Sequence, residues 1–524
     1  MIKRPLAPDR TAVQLKISIP QQTNDLPSHI DPRAGPTTRW LNDLPALDPS
    51  VALERIHARL VTLNRAVLKP TVRLQGLDLL RTRIGAATGL LDSRSAHAAL
   101  PMRNRQRIAA ELIKAVNLEL AYGYKAAIVD LSSGGGGERE LATAIHRAMR
   151  CTTQLLLAHY ASYTPEPEGI WQELHHLRRV AEALGLSRQP IDDSAAKVGS
   201  RTSIKDCYKH ALLLGLCKPY QLEARALRRT DTYLERWAGL ARIRKGSQSL
   251  SPHCQFVLCD DCDRPDAPRV QRKPTGSTPP QPVLDTQELV AKLNLQLTAL
   301  RAGIPPELDG LPAELFDAQS RPLLHHLILS WGVIPARSFS RVHTANELRI
   351  AVGIEPVADA LRAAAGGAAP SGAFAGGRCQ VVDEGAGGLG VAVTDTGALS
   401  LRVGDVICTA AADAPTVGLI RWMKIDHDER IRLGIQKLCP FSAPAVVNAV
   451  QPDAERATPP YRALALPAFE PLHQPRSVLT TRGVFHPRRN LILESAHDLK
   501  MIRADRLVER TACLDWFEYE DLKI

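Results

Sequence analysis

The chain has 524 residues, which at about 150 residues per domain gives a prior of three domains and excludes a single small module. Hydrophobic residues make up 44% and charged residues 23%, and Pro (38) and Gly (34) are only slightly above ordinary usage, so collagen-like and wholly disordered chains are excluded. The excess of 66 Lys and Arg over 55 Asp and Glu, a net charge of +11, admits an anionic partner without choosing its kind. Aromatics are only 4%, so the cores must be built from Leu, Ala, Val and Ile, which favours helix packing over much of the length. No run of 18 apolar residues occurs, and Met1 to Pro5 lead into polar sequence rather than the apolar core of a secretion signal. The chain therefore reads as cytoplasmic, without membrane insertion, and its ten cysteines read as free thiols in a reducing compartment.

In chain order, residues 1–36 are rich in Pro, Asp, Arg and Thr and read as a flexible arm. Residues 37–245 read as a helical domain. Apolar positions recur at three and four residues, as in Leu53, Ile56, Leu60 and Leu63, or Ile108, Leu112, Val116 and Leu120. Asp48 before Pro49 suits an N-cap, and seven helices are predicted near 49–67, 71–92, 100–131, 138–163, 166–186, 202–217 and 220–243. They would form a bundle or short solenoid, a shape that suits a protein partner. Residues 246–284 read as a hairpin and Pro-rich linker. Residues 285–334 read as a helical connector opened by Asp285 and Glu288 at capping-box spacing. From 335 to 440 the pattern changes to six short strands, around Leu348, Val381, Leu389, Val406, Val417–Met423 and Ile431–Leu438, which suggests a small closed antiparallel barrel. The Ala/Gly-rich stretch 363–377 reads as a flexible insertion, and 441–524 as a small β-rich extension with two strands near 477–480 and 490–493. The fold class is thus α+β and multidomain.

Several clusters could carry chemistry. His253, Cys254, Cys259 and Cys262 have a spacing that could hold zinc or an iron–sulfur cluster, yet a fourth cysteine is lacking nearby and an odd separation puts Cys254 and Cys259 on opposite strand faces. No metal site is assigned. The glycine run 132–137 lacks the Lys-Ser/Thr of a phosphate loop and reads as a helix–helix connection. The adjacent pairs His175/His176 and His325/His326 diverge on a helix surface. With no nucleophile elbow and no kinase or dinucleotide fingerprint, nothing argues for an enzyme or a bound cofactor.

One constellation stands out. Arg337 and Arg341 place two guanidinium groups four residues apart just before the first barrel strand, a pair able to fork onto phosphates and stack on a base. Asp383 closes a strand and can accept from the donors of a guanine edge, and Gly385, Gly387 and Gly388 let backbone approach a ligand closely. Arg337-x3-Arg341, then Asp383-x-Gly385-x-x-Gly388, then Val417–Trp422 and Arg432–Ile435, resembles the PilZ domain, the bacterial receptor module for cyclic di-GMP. The resemblance covers about 335–440. It implies that Arg337 and Arg341 hold the phosphates and stack on guanine, Asp383 meets a guanine edge, and Gly388 permits close approach. Where the family has Ser, this chain has Gly385 and lacks one hydroxyl. The leading reading is a cyclic di-GMP effector whose barrel relays to the helical domain and its protein partner. The other reading is a degenerate, non-binding adaptor. Nucleic-acid binding would rest on the diffuse positive charge alone.

Overall fold

The computed structural model describes residues 15–23, 26–94, 99–196, 198, 201–244, 253–266, 281–304, 312–317, 320–332, 340–365, 374, 377–410, 415–449, 460–495 and 498–522. Helices come first: α1 Ala34–Asn42, α2 Pro49–Arg65, α3 Pro70–Arg94, α4 Asn104–Asp130, α5 Glu138–Ala161, α6 Ile170–Ala183, α7 Ile204–Leu216 and α8 Ala224–Trp237. The start of α2 follows from its cap, since the Asp48 carboxylate accepts from the N–H groups of Ser50 and Val51 at 3.1 and 3.2 Å and Pro49 occupies the first turn. Its buried stripe is Ala52, Leu53, Ile56, Leu60 and Leu63. The glycine run 132–137 joins α4 to α5 through a π-helical turn at Leu131–Gly135, with Gly134 at φ +104°.

Helix α5 is central and buried on nearly all sides, so its charged groups must be neutralised inside the domain. Arg147 and Arg150, with Arg81 of α3, surround Asp193, whose side chain is fully buried; Arg81 Nη2 donates to Asp193 Oδ1 at 2.5 Å. Burial alone would raise this carboxyl, and the three guanidinium groups, Arg81 foremost, instead bring it down to about 2. Arg150 also reaches Glu235 of α8 at 2.5 Å, which ties the loop after α6 to both helices.

The described part of the N-terminal arm is held in place, contrary to the flexible reading. The Lys16 N–H donates to His176 Nε2 at 3.0 Å and the Ser18 N–H to Glu173 Oε1 at 2.6 Å, while Leu15, Ile17, Leu26 and Ile30 pack on the helical core. Residues 1–14 lie outside the described residues. Two short strands, β1 Ile191–Asp192 and β2 Arg201–Thr202, pair between α6 and α7. After α8, β3 Arg242–Arg244, β4 Gln255–Val257 and β5 Val283–Asp285 form a sheet in the order β3-β5-β4. Cys259 and Cys262 form a disulfide, correcting the reading of all cysteines as free thiols and removing both from any metal set. The segment beside them docks on α6: Asp263 accepts from the Gly169 and Trp171 N–H groups at 2.6 and 2.9 Å, and Arg178 donates to Asp260 at 2.6 Å. The Pro-rich stretch 267–280 lies outside the described residues. The connector helices are α9 Gln287–Arg301 and α10 Arg321–Gly332. Asp285 does not cap with Glu288; Thr286 stands at the cap and Asp285 accepts from the Gln287 N–H at 3.0 Å.

The first barrel contains β6 Glu347–Val352, β7 Arg378–Gly385, β8 Gly388–Asp395, β9 Val406–Ala410, β10 Pro415–Ile425 and β11 Ile431–Lys437, closed in the order β10-β11-β8-β7-β6-β9. Between β6 and β7 an amphipathic helix, α11 Ile354–Ala365, buries Ile354, Val357, Ala358, Ala360 and Leu361. Its end overlaps the stretch read as a flexible insertion; residues 366–373 lie outside the described residues. Beyond Cys439 comes a second closed barrel rather than a small extension: β12 Ala443–Ala449, β13 Tyr461–Leu466, β14 Ser477–Thr481, β15 Asn490–Ser495, β16 Asp498–Arg510 and β17 Leu514–Asp521, in the order β12-β13-β14-β17-β16-β15. The outer faces of the barrels share a core with α11, in which Val417, Leu419 and Leu438 meet Leu464, Leu479 and Trp516. The helical domain joins the first barrel's core through Leu100 and Tyr163, with paired main-chain bonds between Leu100 and Leu401, 2.9 Å each.

Two histidines, His146 buried and His159 half-buried, make the helical domain sensitive to acid. Burial, reinforced by Arg147, pushes His146 from 6.5 down to about 3, and burial with Lys114 pushes His159 down to about 4. Below pH 6.5 the unfolded chain takes up protons that the folded chain refuses, so stability falls as pH drops toward those values. Thermal unfolding followed by far-UV circular dichroism is expected to show a lower midpoint at pH 5 than at pH 7. An equal or higher midpoint at pH 5 contradicts this.

Candidate functional site

The site is built by two register shifts. In β7 and β8, Cys379 faces Val393 and Val381 faces Val391, all inside the barrel. Strict alternation would then send residue 383 inward too. Val382 is an extra residue, so Asp383 comes to face Gly390, whose neighbours Leu389 and Val391 point inward. Asp383 therefore lies on the outer face, over Gly390; a Cβ at Gly390 would stand 2.7 Å from Asp383 Oδ1. Strand β10 repeats the device. Ile420 pairs with Ile435 inside, Arg421 is the extra residue, and Trp422 turns outward opposite Gly434, where a Cβ would collide with the indole. Gly434 pairs with Gly390 across β11 and β8. The outer face of four consecutive strands thus reads Asp383, Gly390, Gly434, Trp422: a carboxylate and an indole lying over a floor of two glycines.

Arg341 arrives at this face from the linker before β6. It forms a salt bridge with Asp383, both side chains about one-third exposed (33% and 27%). The linker is pinned to the edge of β7 by reciprocal main-chain bonds between Val342 and Glu384, 2.8 and 2.9 Å, and His343 Nδ1 lies 3.1 Å from the Val382 carbonyl. Gly385 and Gly388 flank the two-residue turn at Ala386 and Gly387. A Cβ at Gly385 would stand 2.7 Å from the Ser340 carbonyl, and one at Gly388 would stand 3.0 Å from the Ile435 carbonyl and 3.4 Å from Arg341 Nη2. Glycine at 385 is what lets the linker lie directly on the hairpin, and it gives a steric reason for the absent serine.

Of the residues singled out in the sequence, the structure brings together Arg341, Asp383, Gly385 and Gly388, and Arg337 lies outside the described residues. Sequence reasoning missed Gly390, the floor beneath Asp383, and Lys437, whose Nζ lies 2.6 Å from Glu384 Oε1 beside the turn. The second glycine of Gly388-x-Gly390 was the available signal for the first of these. Arg421 leaves the face altogether: its guanidinium holds Gln436 at 2.6 Å and Glu509 of the second barrel at 2.6 and 2.8 Å.

Family models match three parts of the chain. One described as the N-terminal domain of the cyclic-di-GMP receptor FimW matches residues 35–248, and one described as that receptor's middle PilZ domain matches 256–358. A third, the FimW C-terminal beta-barrel domain, matches 445–522. In three separate parts the chain is similar to this receptor, its PilZ domain among them. The PilZ match takes in Arg337, Arg341 and β6 and ends within α11, short of Asp383. A curated relative, the cyclic-di-GMP receptor FimW of Pseudomonas aeruginosa, is 28% identical over 345 residues, which is 65% of this chain and 55% of the relative. The match thus spans little more than half the relative's length. Among the described residues, no helix is long and apolar enough to cross a membrane, and no group of three or more His, Cys, Asp and Glu could hold a metal ion.

The glycine floor makes a direct prediction. Gly434→Ala is expected to drive the Trp422 indole off the strand and shift tryptophan emission to longer wavelength, while the same substitution in a Trp422→Phe background shifts nothing. Identical shifts in both backgrounds would contradict the geometry.

Proposed function

We propose that this chain is a non-catalytic effector that binds cyclic di-GMP on the outer face of the first barrel and passes the event to the helical domain. The observation that carries this is the Arg341–Asp383 pair, held on an outward face beside the Gly385–Gly388 turn. The pair is self-neutralised and can be divided by one ligand. A phosphate takes the place of the Asp383 carboxylate on Arg341, and the released carboxylate accepts from a guanine edge. Arg337, one helical turn's length upstream in sequence, supplies the second guanidinium. The glycine floor lets the Trp422 indole lie flat on the strands beside Asp383, where its outer face is offered to a base. The PilZ match and a relative named as a cyclic-di-GMP receptor support the same ligand.

Relay follows from where the face is attached. The amide of Ile425, three residues after Trp422, donates to the Tyr163 carbonyl at 2.7 Å, and Lys424 lies over the Tyr220 ring. Ligand that favours one linker position shifts the population of the whole assembly. A protein partner on the helical domain, and action in the cytoplasm, belong to this reading. The second reading, a non-binding adaptor, draws on the close approach of the Ser340 carbonyl to Gly385, which packs the linker onto the hairpin where the family's serine would stand.

Calorimetric titration with cyclic di-GMP, with GTP as control, tests the proposal. Saturable binding is expected, weakened tenfold or more by Arg341→Ala, since a hydrogen bond to a charged group contributes about 1.5–3 kcal/mol. No binding to the folded chain would leave the adaptor.

A further inference from the structure

The helical domain carries a second charged concavity, remote in sequence from the barrel face. A cleft of about 650 Å³ opens between residues 188–190, the segment from β2 into α7, and residues 239–244. Its walls present Arg188, Arg201, Lys205, Lys209, Arg242 and Arg244, and Asp206 is the one carboxylate among its lining residues. Internal partners account for four of the six cations. Lys209 is held by Asp206 at 2.7 Å and by the Gly239 and Ala241 carbonyls at 2.9 Å each. Arg201 faces Asp192 at 3.6 Å, Arg244 faces Asp285 at 3.2 Å, and Arg242 pairs with Glu288.

Arg188 and Lys205 are left over: neither has a carboxylate within ion-pair distance among the described residues. They also press on one another. Burial, then Arg188 and Lys209, push the half-buried Lys205 ammonium below its ordinary value, with Glu182 and Asp206 only partly opposing them. A cleft large enough for a small molecule that holds two cations with no ion-pair partner among the described residues has positive charge for a ligand to cancel.

We propose that this cleft is a second ligand site, which takes a small soluble molecule bearing a terminal phosphate or diphosphate. A phosphate monoester carries about −1.5 to −2 at neutral pH, which suits two cations that have no ion-pair partner among the described residues. Arg201, Arg242 and Arg244 are more than half exposed, and such surface pairs hold their side chains weakly, so their guanidinium forks can turn from Asp192, Glu288 and Asp285 onto phosphate oxygens. The concave shape suits a compact ligand rather than a polymer. A polymer would ask for a stripe of charge across the surface.

The test is titration of the full chain with inorganic pyrophosphate by calorimetry, at fixed ionic strength and with sulfate as the competing simple anion. Saturable binding is expected, stronger than that of sulfate and weakened tenfold or more in Arg188→Ala/Lys205→Ala. Arg341→Ala is expected to leave it unchanged, so the two sites fail or succeed separately. Absence of saturable binding by the folded protein overturns the proposal, as does an affinity that the double substitution does not alter. Displacement of pyrophosphate by cyclic di-GMP in the Arg341→Ala chain also overturns it, because that ligand carries only phosphodiesters.

Discussion

In a closed six-stranded barrel, strand alternation assigns each side chain to the inside or the outside, and the inside of this one is lined by apolar side chains such as Val381, Val391, Ile420 and Ile435. One extra residue in each of two strands changes the assignment. Val382 turns Asp383 outward and Arg421 turns Trp422 outward, and each then lies over a glycine of the neighbouring strand. The remaining features of the face depend on these shifts. Arg341 is fixed because Asp383 is outside to receive it, and the linker can lie on the hairpin because Gly385 has no side chain to hold it off.

The same strands tie the face to the rest of the molecule. Strand β10 contributes Arg421 to Glu509 of the second barrel, Trp422 to the outer face, and Lys424 and Ile425 to the helical domain within five consecutive residues. Its other end, through Val417 and Leu419, belongs to the core shared by the two barrels and α11. Trp422 is thus joined through one strand to both the second barrel and the helical domain. Close-packed interfaces answer by moving as units rather than by yielding gradually.

The helices were legible because α2, α4 and α5 carry long periodic patterns with recognisable starts, Asp48–Pro49 among them. All six strands of the first barrel were legible for the same reason. Only two of the second barrel's six strands were visible: β13 is buried on alternate faces by different cores, Ala463 by its own barrel and Leu464 by the neighbour, so no clean alternation appears. Helix α11 was hidden because its alanines run into the Ala/Gly-rich stretch that follows. Within the site, Arg341, Asp383, Gly385 and Gly388 were found by their spacing. The register shifts at Val382 and Arg421 were not, because an extra residue in a strand leaves no mark in the sequence and shows only when the partner strand is known.

The most direct test of the account is a crystal structure of the chain with cyclic di-GMP. The account predicts that the Arg341 guanidinium has left Asp383 for a ligand phosphate, with Asp383 on a guanine edge and the ligand against the Trp422 indole. Ligand bound elsewhere, with the Arg341–Asp383 salt bridge intact, would contradict it.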